Sequence, residues 1–164
     1  MLLRIPKPVV ERLGADLARA AHREIGGILF GEQLAEGDFR IVAVSSQTGG
    51  GTRASFRRNG SKAQKQTRFL HQKFGDDPRR FNYLGEWHSH PNAPAVPSLR
   101  DEQTMWQLLD GQGNAVNFLV LIIVRLAGQQ KMEIGAQVYL KSGQKLDCSV
   151  VQEDAAEPNT EDAE

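Results

Sequence analysis

The apolar run Val116–Val124, "VNFLVLIIV", sets the first limit on what this chain can fold into. It is broken once, by Asn117, and is far shorter than the ~20 residues needed to cross a bilayer. It is also the longest such run in 164 residues, so it reads as a buried strand of a soluble protein. That length suits one domain with a real core. The N-terminus, "MLLRIPKPVVERL", lacks an apolar signal region and a small-residue cleavage site. The single cysteine, Cys148, excludes an internal disulfide framework and a cysteine-based zinc cluster. A cytoplasmic location is the expectation that follows.

Periodicity places the remaining elements. Val9, Leu13, Leu17 and Ala20 form an amphipathic stripe that predicts a helix over Pro8 to Arg23. "EIGGILFGE" reads as a short buried strand ended by Gly31, and "DFRIVAVSS" as a second, with Phe39, Ile41 and Ala43 on one side. "RASFRR" suggests another short strand. "QTGGGTR" is a glycine loop, without the Gly-Lys-Ser/Thr that a phosphate-binding loop requires. "SKAQKQTRFLHQKFG" predicts a basic helix capped by Asn59 or Ser61 and closed by Gly75. "RRFNYLGEWHSH" predicts a strand with Phe81, Tyr83, Gly85 and Trp87 on one face and Glu86, His88 and His90 on the other. "SLRDEQTMWQLLDG" predicts a helix from Ser98 to Gly111. "AVNFLVLIIVRL", "KMEIGAQVYL" and "KLDCSVV" complete a mainly antiparallel series. The expected fold class is α/β, a single mixed sheet flanked by helices.

Formal net charge is zero but unevenly spread. Residues 152–164, "QEDAAEPNTEDAE", hold six acids and no Lys or Arg, which leaves twenty basic against fourteen acidic groups in residues 1–151. The tail has almost no large apolar side chains, so it is expected to be disordered, with the folded domain over residues 1–151. Nine Lys or Arg and two Asp fall in residues 53–80, either a solvated helix face or a docking surface for an acidic partner. No aromatic stacking platform is interleaved there, which argues against nucleic acid.

The chemistry concentrates in residues 85–101, "GEWHSHPNAPAVPSLRD". His88 and His90 are two apart on a strand, so both imidazoles project to one side and can converge on a metal. After the stiff loop "PNAPAVP", Asp101 falls in the first turn of a helix and can point back to the strand end. Two histidines and one aspartate leave one coordination position for water, the pattern of a catalytic zinc site. A lone His-x-His is weak evidence, and Ser98 with Asp101 three residues on is also an ordinary capping box. A nearby carboxylate could act as general base. Glu24, at a helix-to-strand junction, is one candidate, and spacing alone does not separate it from Glu32, Glu86 or Glu102.

Taken together, Glu24, His88-Ser89-His90, seven residues, Ser98, two residues and Asp101 resemble the JAMM motif of the MPN (JAB-type) metalloproteases. The resemblance covers about residues 8–140, with no departure at a motif position. It implies a cytidine-deaminase-like α/β fold, although the deaminase signature itself is absent. It implies one Zn²⁺ per chain held by His88, His90 and Asp101, with Glu24 as proton shuttle and Ser98 as donor to the oxyanion. Ser89 would support the site, Trp87 would lie in the core, and Glu86 could orient a ligand. The implied substrate is a protein with an extended C-terminus, ubiquitin-like or conjugated. Small bacterial forms of this kind are encoded beside ubiquitin-activating-like and conjugating-like enzymes, including those of cyclic-oligonucleotide antiphage (CBASS) systems. The rival implications are a protease that processes sulfur-carrier proteins and a non-catalytic scaffold.

Overall fold

A computed structural model of the chain describes residues 1–47, 59–113, 115–128 and 131–154. The elements are β1 (Leu2–Pro6), α1 (Lys7–Ala20), β2 (Gly26–Ala35), β3 (Asp38–Val44), α2 (Gly60–Lys73), β4 (Phe81–Ser89), α3 (Leu99–Gly111), β5 (Phe118–Ala127), β6 (Lys131–Leu140), β7 (Lys145–Asp147) and β8 (Ser149–Glu153). The strands form one mixed sheet in the order β7-β6-β5-β4-β2-β3-β1-β8. No helix among the described residues is long and apolar enough to cross a membrane.

The sheet has two apolar faces, and each carries its own core. On one face Leu13, Leu17 and Ala20 of α1 pack with Leu3, Ile5, Ile41, Trp87, Ile122 and Val124. On the other, Ala63 and Leu70 of α2 and Met105 and Leu109 of α3 pack with Ile28, Phe30, Tyr83, Leu121 and Ile123. The run that reads as continuously apolar is β5, whose alternate residues serve the two cores. A strand covered on both faces has no use for polar alternation. β7 and β8 lie at opposite ends of the strand order, yet only Cys148 separates them. Two residues of chain span under about 8 Å, so the sheet must curl until its ends meet. β6 touches β8 accordingly, and α1, against β1, β3, β5 and β8, sits in the concave side.

Several expectations change. The opening residues form a strand, β1, parallel to both β3 and β8. β4 and β5 are also parallel, joined by the crossover through α3, so the sheet is less antiparallel than the sequence suggests. α1 stops at Ala20 rather than Arg23, because Ala21 leaves helical geometry with φ 54°. β2 continues past Gly31 to Ala35. "KLDCSVV" is divided between β7 and β8. Two residues expected in the tail belong to the sheet. Gln152 and Glu153 pair with Ile5 and Pro6, and Glu153 bonds Arg40 at 2.9 and 3.1 Å. The remainder of the tail from 155, the segment "RASFRR" and the glycine loop beyond Gln47 lie outside the described residues.

Two bulges overturn the face assignments. Between Leu29–Phe30 of β2 and Gly85–Tyr83 of β4 the register shifts, which makes Leu84 the extra residue. Tyr83 therefore shares the face of Glu86, while Leu84 and Trp87 enter the α1-side core. The bulge depends on Gly85, which has φ 145°, and a Cβ there would lie 1.9 Å from Val120 O. A second shift, opposite Phe30–Gly31, makes Val42 extra on β3 and turns Ala43 away from Phe39 and Ile41.

Candidate metal centre

β4 carries His88 to the edge of the α3-side core. His88 is in register with Ile123 of that core, so its ring projects toward α3. The chain leaves the strand at His90, whose N–H bonds Val124 O at 2.9 Å. Both histidines are buried. The loop over residues 91–97 returns the chain to Ser98, the N-cap of α3. Ser98 Oγ accepts from Asp101 N (3.2 Å), and the Asp101 carboxylate accepts from Ser98 N (2.8 Å), a complete capping box. The sequence expectation of a capped helix at Ser98 is correct, and the cap aims Asp101 back at the strand.

Asp101 reaches both rings. Its Oδ1 lies 3.1 Å from His88 Nδ1 and its Oδ2 lies 3.2 Å from His90 Nε2. Oδ2 also accepts from Ser98 Oγ at 2.7 Å. Burial pushes the Asp101 carboxyl up, but the bonds from His88, His90 and Ser98 outweigh it and hold the group well below the carboxylate range. At His90, the Asp101 bond raises the imidazole above its ordinary range against the effect of burial.

Glu24 joins them from the segment between α1 and β2. Ser89 Oγ accepts from Ile25 N at 2.9 Å, and Ser89 N donates to Ile25 O at 2.8 Å. Gly26 pairs with His88 in antiparallel register, which brings Glu24 opposite His90. Burial raises the Glu24 carboxyl above its ordinary range, His90 lowers it, and Asp101 raises it further. The supporting role read for Ser89 is thus a clasp between the two segments. Glu32 does not join the site but pairs with Arg80 on β2's far end. Glu86 is buried and accepts from Tyr83 OH at 2.9 Å. Glu102 pairs with Lys145 at 2.6 Å. Trp87 is in the opposite core, its Nε1 donating to Ser45 O. Of the four acids that spacing left open, Glu24 has His90, Asp101 and His88 among its electrostatic neighbours.

Among the described residues, no three or more His, Cys, Asp or Glu side chains are set out ready to hold a metal ion. Asp101 closes on both rings in direct hydrogen-bond contact. The donor set nonetheless fits a cation. His90 Nδ1 lies 3.1 Å from Pro94 O, a carbonyl that can only accept, so the ring proton sits on Nδ1. That leaves the Nε2 lone pair facing Asp101 Oδ2, which already receives two hydrogen bonds. An acceptor facing an anion needs a positive charge between them. A proton on Nε2 meets this need, and so does a metal ion with the second nitrogen tied to a carbonyl. The Pro94 carbonyl had no signal in the sequence, because a backbone oxygen carries no residue preference.

Basic residues of α2 surround one exposed aromatic, Phe69, with Lys65 and Lys73 one turn to either side.

Curled mixed sheet, three helices and a His-x-His strand facing an acid-bearing helix N-terminus together define a JAB-type domain. The chain matches the prokaryotic homologs of the JAB domain over residues 6–137 and belongs to that family. Its fold is similar to the solution structure of protein DSY2949 from Desulfitobacterium hafniense, with a TM-score of 0.70, 21% identity and coverage of 94% of this chain and 95% of that one. It is also similar to the solution structure of a protein from Salinibacter ruber (strain DSM 13855), with a TM-score of 0.54, 19% identity and 94% coverage of both chains. Comparison with curated proteins gives no match.

Proposed function

We propose that this chain is a zinc-dependent peptidase or isopeptidase that releases a protein joined through its extended C-terminus to an amine. The observation that carries the reading is the meeting of His88 and His90 on the Asp101 carboxylate, with the Glu24 carboxyl beside it. Zinc bound there by His88, His90 and Asp101 would polarise a carbonyl and bring the pKa of water to ~7. The chain's own residues supply the rest. Glu24, its carboxyl raised by burial, is suited to take a proton from the attacking water and return it to the departing amine. Ser98 Oγ now donates to Asp101 Oδ2. It can turn to a developing oxyanion without stranding that oxygen, because Ser98 N continues to bond it. An apolar approach is at hand, since Val96 and Leu99 are 58% and 79% exposed beside the ligands.

The substrate class, the conjugating-enzyme partners and a role in antiphage defence belong to the same reading. Glu24→Gln tests it. The variant should keep one zinc per chain by elemental analysis while kcat on a Gly-Gly chain linked to a lysine side chain falls by roughly 10²–10⁴. Conjugates trapped in cells carrying the variant would identify the target. A wild-type chain that takes up no zinc and leaves the isopeptide intact would make this domain a binding scaffold. Cleavage restricted to a linear carrier fusion would favour the processing protease instead.

A further inference from the structure

The metal ligands lie at the two ends of one loop, so whatever fixes residues 91–97 also fixes the centre. Three consecutive loop residues are each held by a different device. Ala93 O accepts from Arg125 Nη1 on β5 at 3.2 Å. Arg125 is itself steadied by Glu133, its register partner on β6, at 2.9 Å. Pro94 O meets His90 Nδ1. Ala95 rests on β6 at Gly135.

The last contact explains an odd residue. His88, Ile123 and Gly135 form one register row across β4, β5 and β6. Side chains in such a row project to one face, here the face that holds the ligands. A Cβ at position 135 would lie 1.9 Å from Ala95 O and 3.1 Å from Ala95 C. Both are backbone atoms, so no rotamer change relieves the clash and the loop itself would have to move. An isolated glycine inside a strand marks such a close approach of another backbone.

We propose that Gly135 and Arg125 are positioning residues for the metal centre. They seat the loop so that Pro94 sets the His90 tautomer and Asp101 arrives between the two rings. Both act through the loop and neither is a ligand. The functional consequence rests on the zinc reading above, whereas the seating of His90 is a property of the metal-free chain as well.

The test uses full-length Gly135→Ala and Arg125→Met. Two readouts are zinc affinity, by competition with a chromophoric chelator, and the His90 Nδ1–H resonance of ¹⁵N-labelled metal-free protein. Gly135→Ala should weaken zinc roughly 10–100-fold, the range for residues that orient ligands, and should lose the resonance while far-UV circular dichroism is unchanged. Arg125→Met should show the same pattern more weakly, and Arg125→Lys should recover part of it. If Gly135→Ala does not fold, Arg125→Met decides. Parent-like zinc affinity together with a retained resonance would overturn the proposal. A parent chain that binds no zinc sinks the zinc reading instead, and the resonance alone then judges the positioning.

Discussion

The fold holds one aspartate buried and another half-buried, and it neutralises them differently. Asp16, on α1, accepts from Arg12 (3.1 Å), from Arg19 and from Ser46 Oγ. Asp101, on α3, accepts from Ser98 twice and faces two imidazoles. The partners of Asp16 are guanidiniums, which keep their charge at every working pH. That cluster is complete, and it staples α1 to the segment after β3. The partners of Asp101 are imidazoles, which carry charge only when protonated, and one ring proton of His90 is committed to Pro94. Loss of solvent around a carboxylate is common to both. What distinguishes a site from a staple is whether the neutralising charge belongs to the chain permanently or has to be supplied.

The contrast predicts that the two substitutions to alanine fail in different ways. Asp101→Ala should lose zinc by two orders of magnitude or more, past the ~10–100-fold of outer residues, and activity with it. Asp16→Ala should leave zinc affinity untouched and lower stability by about 1–3 kcal/mol, the worth of hydrogen bonds to a charged group. Chelator competition and urea unfolding on the same preparations read both. Zinc loss in Asp16→Ala, or zinc retention in Asp101→Ala, would erase the distinction.

Ser98→Ala falls between them. It removes the N-cap oxygen, costing about 1 kcal/mol of stability, and takes one of the donors from Asp101 Oδ2. Kinetics must therefore drop further than unfolding does if Ser98 also serves the oxyanion. A kcat that follows stability alone would confine Ser98 to the cap.

Much of this was legible in the sequence. The stripe of α1, the cap at Ser98 and the pairing of His88 with His90 on one face each rest on local rules, and the structure keeps them. What failed was non-local. Strict alternation put Tyr83 with Trp87, and only the bulge at Leu84 separates them. The bulge comes from the backbone of β5 pressing on Gly85, which no local pattern reports. β1 was passed over because its five residues become a strand only between β3 and β8, both distant in sequence. Spacing alone could not show which of four glutamates lies beside the histidines, because Glu24 is brought there by Ser89 clasping Ile25. Residues 152 and 153 looked like tail, yet both pair with β1 and Glu153 finds Arg40 and Arg4 across the sheet.

The smallest expected effect is the most discriminating for Asp16. Burial pushes its carboxyl up, but Ser46, Arg19 and Arg12 more than offset this, so it titrates below its ordinary value of 3.8. The unfolded chain takes up that proton near pH ~3.9, before the folded chain does. Between the two values the unfolded state binds more protons, so stability rises with pH there. The contribution is full above pH ~4 and is lost as pH falls through the folded value. The stability gap between the parent and Asp16→Asn should therefore shrink on acidification below pH ~4 and stay level from about pH 5 to 8, where neither the carboxylate nor its arginines titrate. Urea midpoints across that range give the measurement. A gap that changes between pH 6 and 8 would reveal a titrating partner at Asp16, and its cluster would then be no more self-sufficient than the one at Asp101.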